Sequence, residues 1–429
     1  MNITSQGLGT TATRIRYVVV TMAVLLAMVT YLDRACIATL APGIMGDLGL
    51  TKDQMSMVYS AFALAYAVFE IPTAWWADRR GTRHVLTRIV LWWSGFTMFT
   101  AAAWSFTSLV VTRFLFGAGE AGAWPSVART FSRWIPRSER GTIQGIFFSG
   151  AHLAGGVTPM VVVWMTQTVG LGWRTVFTLF GLVGVAWALV WYSWFRNDPS
   201  EHRAVNPAEL EKIVTGRTPP GGHHEGWAYW KRLLSHRNTW AVCLMYVPNP
   251  YAFYFCITWL PTYLKEKHGF DAMQLGFFAG LPLILSVGGD LFGGVTTDVV
   301  TKRLGLRPGR CAVGAVAYVL AGGAMIGAGL VPHPQLAALL IAVAVAASMF
   351  TLGASWSTCL DIGGNHAAVV SAAMNTSGAL SSVVSPLMVT WLLKHFANNW
   401  NMPLFVMGGL FLVGAVCWGL IDPQKKIFD

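Results

Sequence analysis

The chain has 429 residues, 54% of them hydrophobic and only 11% charged, less than half the charged fraction of about 25% usual in soluble domains. Lys and Arg number 30 against 19 Asp and Glu, a net charge of +11, yet the basic residues fall in short runs between long apolar stretches. Composition therefore excludes a soluble enzyme, a disordered chain and a nucleic-acid partner, and reads as a polytopic membrane protein.

Residues 1–13 are polar and precede an apolar segment far too long for a signal peptide, which reads as a retained span. Because a hydrocarbon core needs about 20 apolar residues per helix, twelve spans are predicted. Spans 1 to 6 cover 15–41, 54–77, 84–104, 107–129, 142–167 and 173–195. Spans 7 to 12 cover 238–264, 274–299, 310–332, 335–360, 366–394 and 401–421. The stretch 196–237 between them is charged and carries Pro207, Pro219, Pro220, Gly221 and Gly222, the composition of a linker. The expected organisation is a six-helix bundle over 1–195, a cytoplasmic linker over 196–237 and a second bundle with a short tail over 238–429.

With the N-terminus inside, 23 Lys and Arg fall in inside segments and 5 in outside ones, while Arg34 and Arg113 lie within spans. That bias places both termini and the linker in the cytoplasm. The six cysteines are scattered, mostly within apolar segments, and form no Cys-x-x-Cys pair, so neither a disulfide framework nor a metal site is expected. Trp75, Trp76, Trp134, Trp173, Trp194 and Trp400 stand at span ends, as an interfacial belt would.

The halves share a pattern. After span 2 the chain reads Ala74-Trp-Trp-Ala-Asp78-Arg79-Arg80-Gly81-Thr82-Arg83, and after span 8 Gly294-Val-Thr-Thr-Asp298-Val-Val-Thr-Lys302-Arg303. A small residue, three spacers, an Asp and a basic cluster recur at equivalent places. A parallel repeat of two six-helix halves is a transporter architecture with its site between the halves. Asp78 and Asp298, with Arg79, Arg83 and Arg303, form a candidate conformational latch; a helix cap plus topology signal is the plainer reading.

These loops resemble those of the major facilitator superfamily. Further segments resemble its anion:cation symporter family of sugar-acid, sialic-acid and vesicular glutamate transporters: Tyr31-Leu-Asp33-Arg34 in span 1, Tyr59 to Tyr66 in span 2, Arg113-Phe-Leu-Phe-Gly117-Ala-Gly119-Glu120 in span 4, Trp259-Leu-Pro-Thr-Tyr263 in span 7, and Asp361-Ile-Gly-Gly with Met374-Asn375 near span 11. The resemblance implies an all-α fold of twelve transmembrane helices in two pseudo-symmetric bundles. Ala74 departs from the superfamily's usual Gly. Span 5 carries Gly155-Gly156-Val-Thr-Pro159 in place of the Gly-Pro pair of antiporters, which disfavours drug efflux.

Charges inside a bilayer are expensive and therefore mark function. Asp33, Arg34, Arg113, Glu120 and Asp290 fall well inside predicted spans. Arg113, Gly117 and Glu120 stand at i, i+4 and i+7 and share one helix face, with Gly117 leaving a gap for Arg113 or a ligand. Asp33, Arg34, Arg113 and Glu120 sum to zero when both carboxylates are ionised and turn positive on proton uptake, which suits an anionic substrate. The resemblance implies that the matching arginine anchors the substrate and the matching carboxylates carry protons; a purely structural salt-bridge network is the alternative. Asp290 is either a third titrating group or an acceptor for neighbouring helices. His152 is a candidate contact or a satisfied core residue. Tyr31, Tyr66, Tyr251 and Tyr254 can hydrogen-bond a polyol while their rings line the cavity, and Trp356 and Asn375 are candidate contacts from the second half. Pro248 and Pro250 are expected to distort span 7.

The leading reading is a proton-coupled symporter that takes up a small organic anion, a hexonate, hexarate or hexuronate, with exchange or efflux by the same fold as the alternative. No Walker loop supports ATP-driven transport, and no nucleophile–base or metal constellation supports an intramembrane enzyme. The expected partners are the anion, protons and the bilayer of a bacterial inner membrane. No cofactor and no nucleic acid are expected, and the protein is expected to be monomeric.

Overall fold

A computed structural model describes residues 11–215 and 227–428; Arg217, Pro219 to Gly222 and the His223-His224 pair of the linker lie outside the described residues. Among the described residues, helices occupy all twelve predicted places. Nine spans contain one principal helix: Ile15–Leu48, Lys52–Arg80, Thr82–Ala101, Arg140–Val163, Trp173–Trp194, Ala272–Leu304, Val313–Leu330, Ala367–His395 and Asn401–Leu420. Spans 4, 7 and 10 are broken. Eight helical stretches are by themselves long and apolar enough to cross a membrane, one of them joining spans 10 and 11. Spans 3, 4 and 7 miss that test because of the polar start of span 3 and the breaks in the other two.

The breaks in spans 4 and 7 have local causes. Span 4 consists of Phe106–Glu120 and Ala123–Trp134, separated at Gly122, whose φ of +84° is one that residues with a Cβ rarely adopt. Span 7 is divided into Arg237–Tyr246, Pro248–Thr258 and Leu260–His268; Pro248 and Pro261 lack the N–H that would continue the helix. Span 11 supports the interrupted backbone. The hydroxyls of Ser377, Ser381 and Ser385 donate to the carbonyls of Cys243, Val247 and Tyr251 at 2.9, 3.0 and 2.9 Å. Serines at every fourth residue thus meet carbonyls at every fourth residue, which satisfies backbone groups in an environment without water.

Spans 5 and 8 pack backbone to backbone across the two halves. A Cβ on Gly145 would lie 2.3 Å from the carbonyl oxygen of Asp290, so only glycine permits this approach. The hydrogen bonds that join the halves cluster between the end carrying both chain termini and the middle of the spans, from Arg129–Gly364 and Arg140–Asp361 to His152–Asp290. Toward the other end Arg34 keeps 26% of its side-chain exposure and Tyr254 is 43% exposed. The halves are therefore closed at the terminal end and open at the opposite one.

The linker helix Pro207–Val214 docks beneath span 1. Glu209 accepts from Arg16 Nη1 at 2.9 Å and from the backbone N–H of Ile15 at 3.0 Å, capping the start of the long first helix. Arg16 also reaches Glu139 at 3.0 Å, and Lys212 meets the same carboxylate at 2.8 Å.

Candidate functional site

Four charges gather inside the first half, as helix-face spacing requires. Arg34 Nε donates to Glu120 Oε1 at 2.6 Å, and a second guanidinium nitrogen approaches the same oxygen. The guanidinium stands over the rings of Tyr66 and Phe62, 4.9 and 5.3 Å from their centroids, an attraction that adds to the ion pair. Arg113 lies against the Phe116 ring at 4.1 Å, within electrostatic reach of Glu120 and Asp33. Asp33, Arg113 and Glu120 are 1%, 2% and 0% exposed. Among the described residues, Nε and Nη1 of Arg113 and one Glu120 oxygen are buried without a hydrogen-bond partner, and the only polar side chains facing the Asp33 carboxyl as donors are the Thr97 hydroxyl and the Trp93 indole N–H, neither in full hydrogen-bond geometry. Buried polar groups are normally bonded, so this cluster has spare capacity for a ligand or proton.

Gly117 does not leave a gap there. A Cβ at this position would fall 2.5 Å from the carbonyl oxygen of Phe62, so span 2 fills the notch. The space expected beside Arg113 is taken by backbone, and access to the charges runs past the partly exposed Arg34.

Two polar links cross from this cluster to the second half. His152 Nδ1 lies 2.6 Å from Asp290 Oδ2, joining spans 5 and 8. Tyr31 meets the His152 ring edge-on and Phe253 lies tilted beside it, with centroids 6.1 and 5.6 Å away. On spans 2 and 11, Asn375 Nδ2 donates to Glu70 Oε1 at 2.6 Å and Thr376 Oγ1 to Glu70 Oε2 at 2.9 Å, while the Tyr66 hydroxyl reaches Glu70 Oε1 at 3.4 Å. Trp356 Nε1 donates to the Tyr246 hydroxyl at 3.3 Å and its ring lies 5.3 Å from Phe148. Tyr251 is buried and Tyr254 exposed.

At the terminal end, Asp78 accepts from the backbone N–H groups of Ala368 and Val369 at 3.2 and 3.0 Å. Asp298 accepts from those of Gly141 and Thr142 at 2.9 and 2.6 Å. Each aspartate thus grips the N-terminus of a helix in the opposite half, where the backbone dipole favours an anion. Arg129 lies 3.4 Å from Asp78 and Arg310 lies 3.3 Å from Asp298. Between them Asp361 binds Arg140 at 2.7 Å and Arg310 at 3.1 Å.

The fold is matched by comparison with known proteins. The Major Facilitator Superfamily profile covers residues 23–386. The chain belongs to the major facilitator superfamily. A probable sulfoacetate transporter of Cupriavidus necator, SauU, is 35% identical over 96% of this chain and 95% of its own. The probable galactarate/D-glucarate transporter GudP of Bacillus subtilis is 27% identical, covering 97% of this chain and 94% of its own. Among solved structures, the proton:xylose symporter XylE superposes with a TM-score of 0.73 at 14% identity, covering 96% of each chain, which shows the shared fold. As a superfamily member the protein is a multi-pass membrane transporter, not an enzyme.

Within this superfamily frame the structure brings together Arg34, Tyr66, Glu120, Asp33 and Arg113, and separately Tyr31, His152 and Asp290. It redistributes the basic residues expected at the aspartates. Arg79 stacks over Trp75 at 4.5 Å, Arg83 donates to the Tyr192 carbonyl at 2.9 Å, and Arg303 is exposed. Neighbours in sequence at a helix end radiate outward, whereas Arg129 and Arg310 approach from other spans. Glu70, Thr376, Tyr246, Arg140 and Arg310 were not singled out from the sequence as functional groups. Glu70 carried a usable signal, being an acid four residues after Tyr66 in an otherwise apolar span.

Proposed function

We propose that the protein takes up a small organic anion together with protons, by alternating exposure of the space between its halves. The reading is carried by the Arg34–Glu120 pair and by the buried, incompletely hydrogen-bonded Arg113 and Asp33 beside it. Such a cluster costs several kcal/mol per ion to bury and earns its place only if something completes it. A substrate carboxylate can take the Arg34 fork from Glu120 with two parallel hydrogen bonds. Glu120 then faces an anion in a water-poor space, and a proton on Glu120 or Asp33 relieves the repulsion. Binding the anion and binding the proton thereby favour each other.

In this reading residues 1–195 and 238–429 are the two moving halves, joined by the linker 196–237, and the protein acts as a monomer in a bacterial inner membrane. The closed terminal end faces the cytoplasm, as the excess of Lys and Arg there supports. Asp78 and Asp298, with Arg129, Arg310 and Asp361, hold that end shut and release it when the loaded cavity turns inward. Tyr31, Tyr66, Tyr251, Tyr254, Trp356 and Asn375 line or support the cavity and contact the substrate's hydroxyls or chain. Asp290, through His152, completes the set of proton-responsive groups.

The substrate proposed is a sugar acid, consistent with the name of GudP. The likeness to SauU supports a second reading in which the anion is a short sulfonated carboxylate. The test is thermal stabilisation of the purified protein by hexonates, hexarates, hexuronates and sulfoacetate at acidic and neutral pH. A ligand that binds only the folded state raises the midpoint by mass action. The reading expects one class to stabilise, more strongly at acidic pH; equal and negligible shifts for every anion would contradict it.

A further inference from the structure

Glu70 is completely buried in the middle of span 2, and its three hydrogen bonds come from Tyr66 on its own helix and from Asn375 and Thr376 on span 11. It is thus a carboxylate of the first half whose principal donors belong to the second. When the terminal end opens, spans 2 and 11 must separate, and Glu70 loses both of them. An ionised carboxylate left buried without donors is strongly disfavoured, whereas a protonated one is tolerated far better. We propose that Glu70 is a further proton-carrying residue of the transport cycle, a tether that holds the closed terminal end as carboxylate and lets go as carboxylic acid. This rests on the proposed proton-coupled uptake only for its consequence on proton number; the tether itself is a property of the empty protein.

The surroundings favour that role. Span 1 brings Arg34, which stands over the ring of Tyr66, and span 4 brings Arg113 and Glu120 from the cavity side and Arg129 at the terminal end. Span 2 itself adds Tyr66 and, two turns on, Asp78. Span 3 contributes Arg83, His84 and Arg88, all toward the terminal end. Span 11 has no titratable side chain from 367 to 393, so its only hold on Glu70 is through neutral donors that a proton on the carboxylate weakens. Glu70 also alters the charge of the cavity. With Asp33, Glu70 and Glu120 ionised against Arg34 and Arg113 the empty site carries −1, and loading a monoanion to neutrality takes two protons.

The test uses the full chain in detergent without substrate, with spin labels at Gly46→Cys and Lys265→Cys, exposed positions on spans 1 and 7 at the open end. In the otherwise unchanged protein, lowering the pH should shift the distance distribution toward the shorter, outer-closed population. Glu70→Gln should show that population at least several-fold enriched already at neutral pH, with a smaller further response to acid. Thr376→Val, which removes one donor and keeps the shape, should be enriched likewise yet retain a pH response. Distributions for Glu70→Gln that superimpose on those of the parent protein at every pH would overturn the proposal. In proteoliposomes with D-galactonate as the monoanion, Glu70→Gln should lose uptake driven by potential alone and keep uptake driven by a pH gradient. Equal electrogenicity in both proteins would also overturn it, whereas absence of any proton-linked uptake in the parent protein would contradict the proposed function and leave the tether to the distance measurement.

Discussion

His152 on span 5 and Asp290 on span 8 meet at 2.6 Å across the two halves. The aspartate is fully buried, and one of its oxygens has no partner among the described residues. The contact is the link farthest from the terminal end along span 5, immediately beside Tyr31 of the cavity. It places an imidazole where movement of the halves makes or breaks its partner.

A double-mutant cycle on His152→Gln and Asp290→Asn should therefore show coupling. Neighbours in direct contact interact by about 0.5–3 kcal/mol, and the denaturation midpoints of the two single variants and the double variant should reveal a term in that range. Strict additivity would mean that the pair contributes nothing to holding the halves together.

Arg34→Lys keeps the charge but loses the planar fork and the ring stacking on Tyr66. Binding of the best stabilising anion should fall at least tenfold while membrane insertion stays normal, as read by thermal shift and by yield of the monodisperse protein. Undiminished binding would move the anchor to Arg113.

Glu120→Gln imitates the permanently protonated residue and removes the ionic partner of Arg34. Exchange of labelled for unlabelled substrate across the membrane should persist at least in part, because it needs no net proton movement. Accumulation driven by a pH gradient should collapse. Equal loss of both would indicate a structural role, since breaking a buried pair costs about 3–5 kcal/mol.

Much of this arrangement could be read from the chain, because hydropathy dictates where helices cross a membrane and helix periodicity dictates which charges share a face. Arg113 and Glu120 are the clear case. Glu70 itself was legible as a lone acid inside span 2, but its role was not, because its donors are 305 and 306 residues away and carry no charge. The true holders of Asp78 and Asp298 escaped for a related reason: backbone N–H groups at a helix N-terminus leave no mark on residue type. The gap expected at Gly117 is filled because a glycine signals close approach without saying whether backbone or ligand approaches.

The junction of linker and first half should respond to acid. Partial burial of Glu139 opposes its ionisation, but hydrogen bonds and charge from Arg16 and Lys212 prevail and hold its carboxyl below the usual carboxylate range. A depressed carboxylate contributes stability that is fully present above its unfolded value, about 4.3, and is lost as the pH falls through the lower folded value. Amide exchange in the linker helix 207–214 should accelerate in that acidic window, and less so in Glu139→Gln. Exchange that is independent of pH, once corrected for the intrinsic rate, would show that the contact does not hold the linker.

Movement of an anion with protons through this cavity has its most direct test in an electrical measurement. A monoanion accompanied by two protons carries one net positive charge inward, for which an inside-negative potential is worth about 2.3 kcal/mol per 100 mV. Proteoliposomes with an imposed potassium–valinomycin potential and no pH gradient should accumulate a monoanionic sugar acid above its external concentration. Uptake that ignores both the potential and an imposed pH gradient, and only equilibrates the anion, would contradict the account.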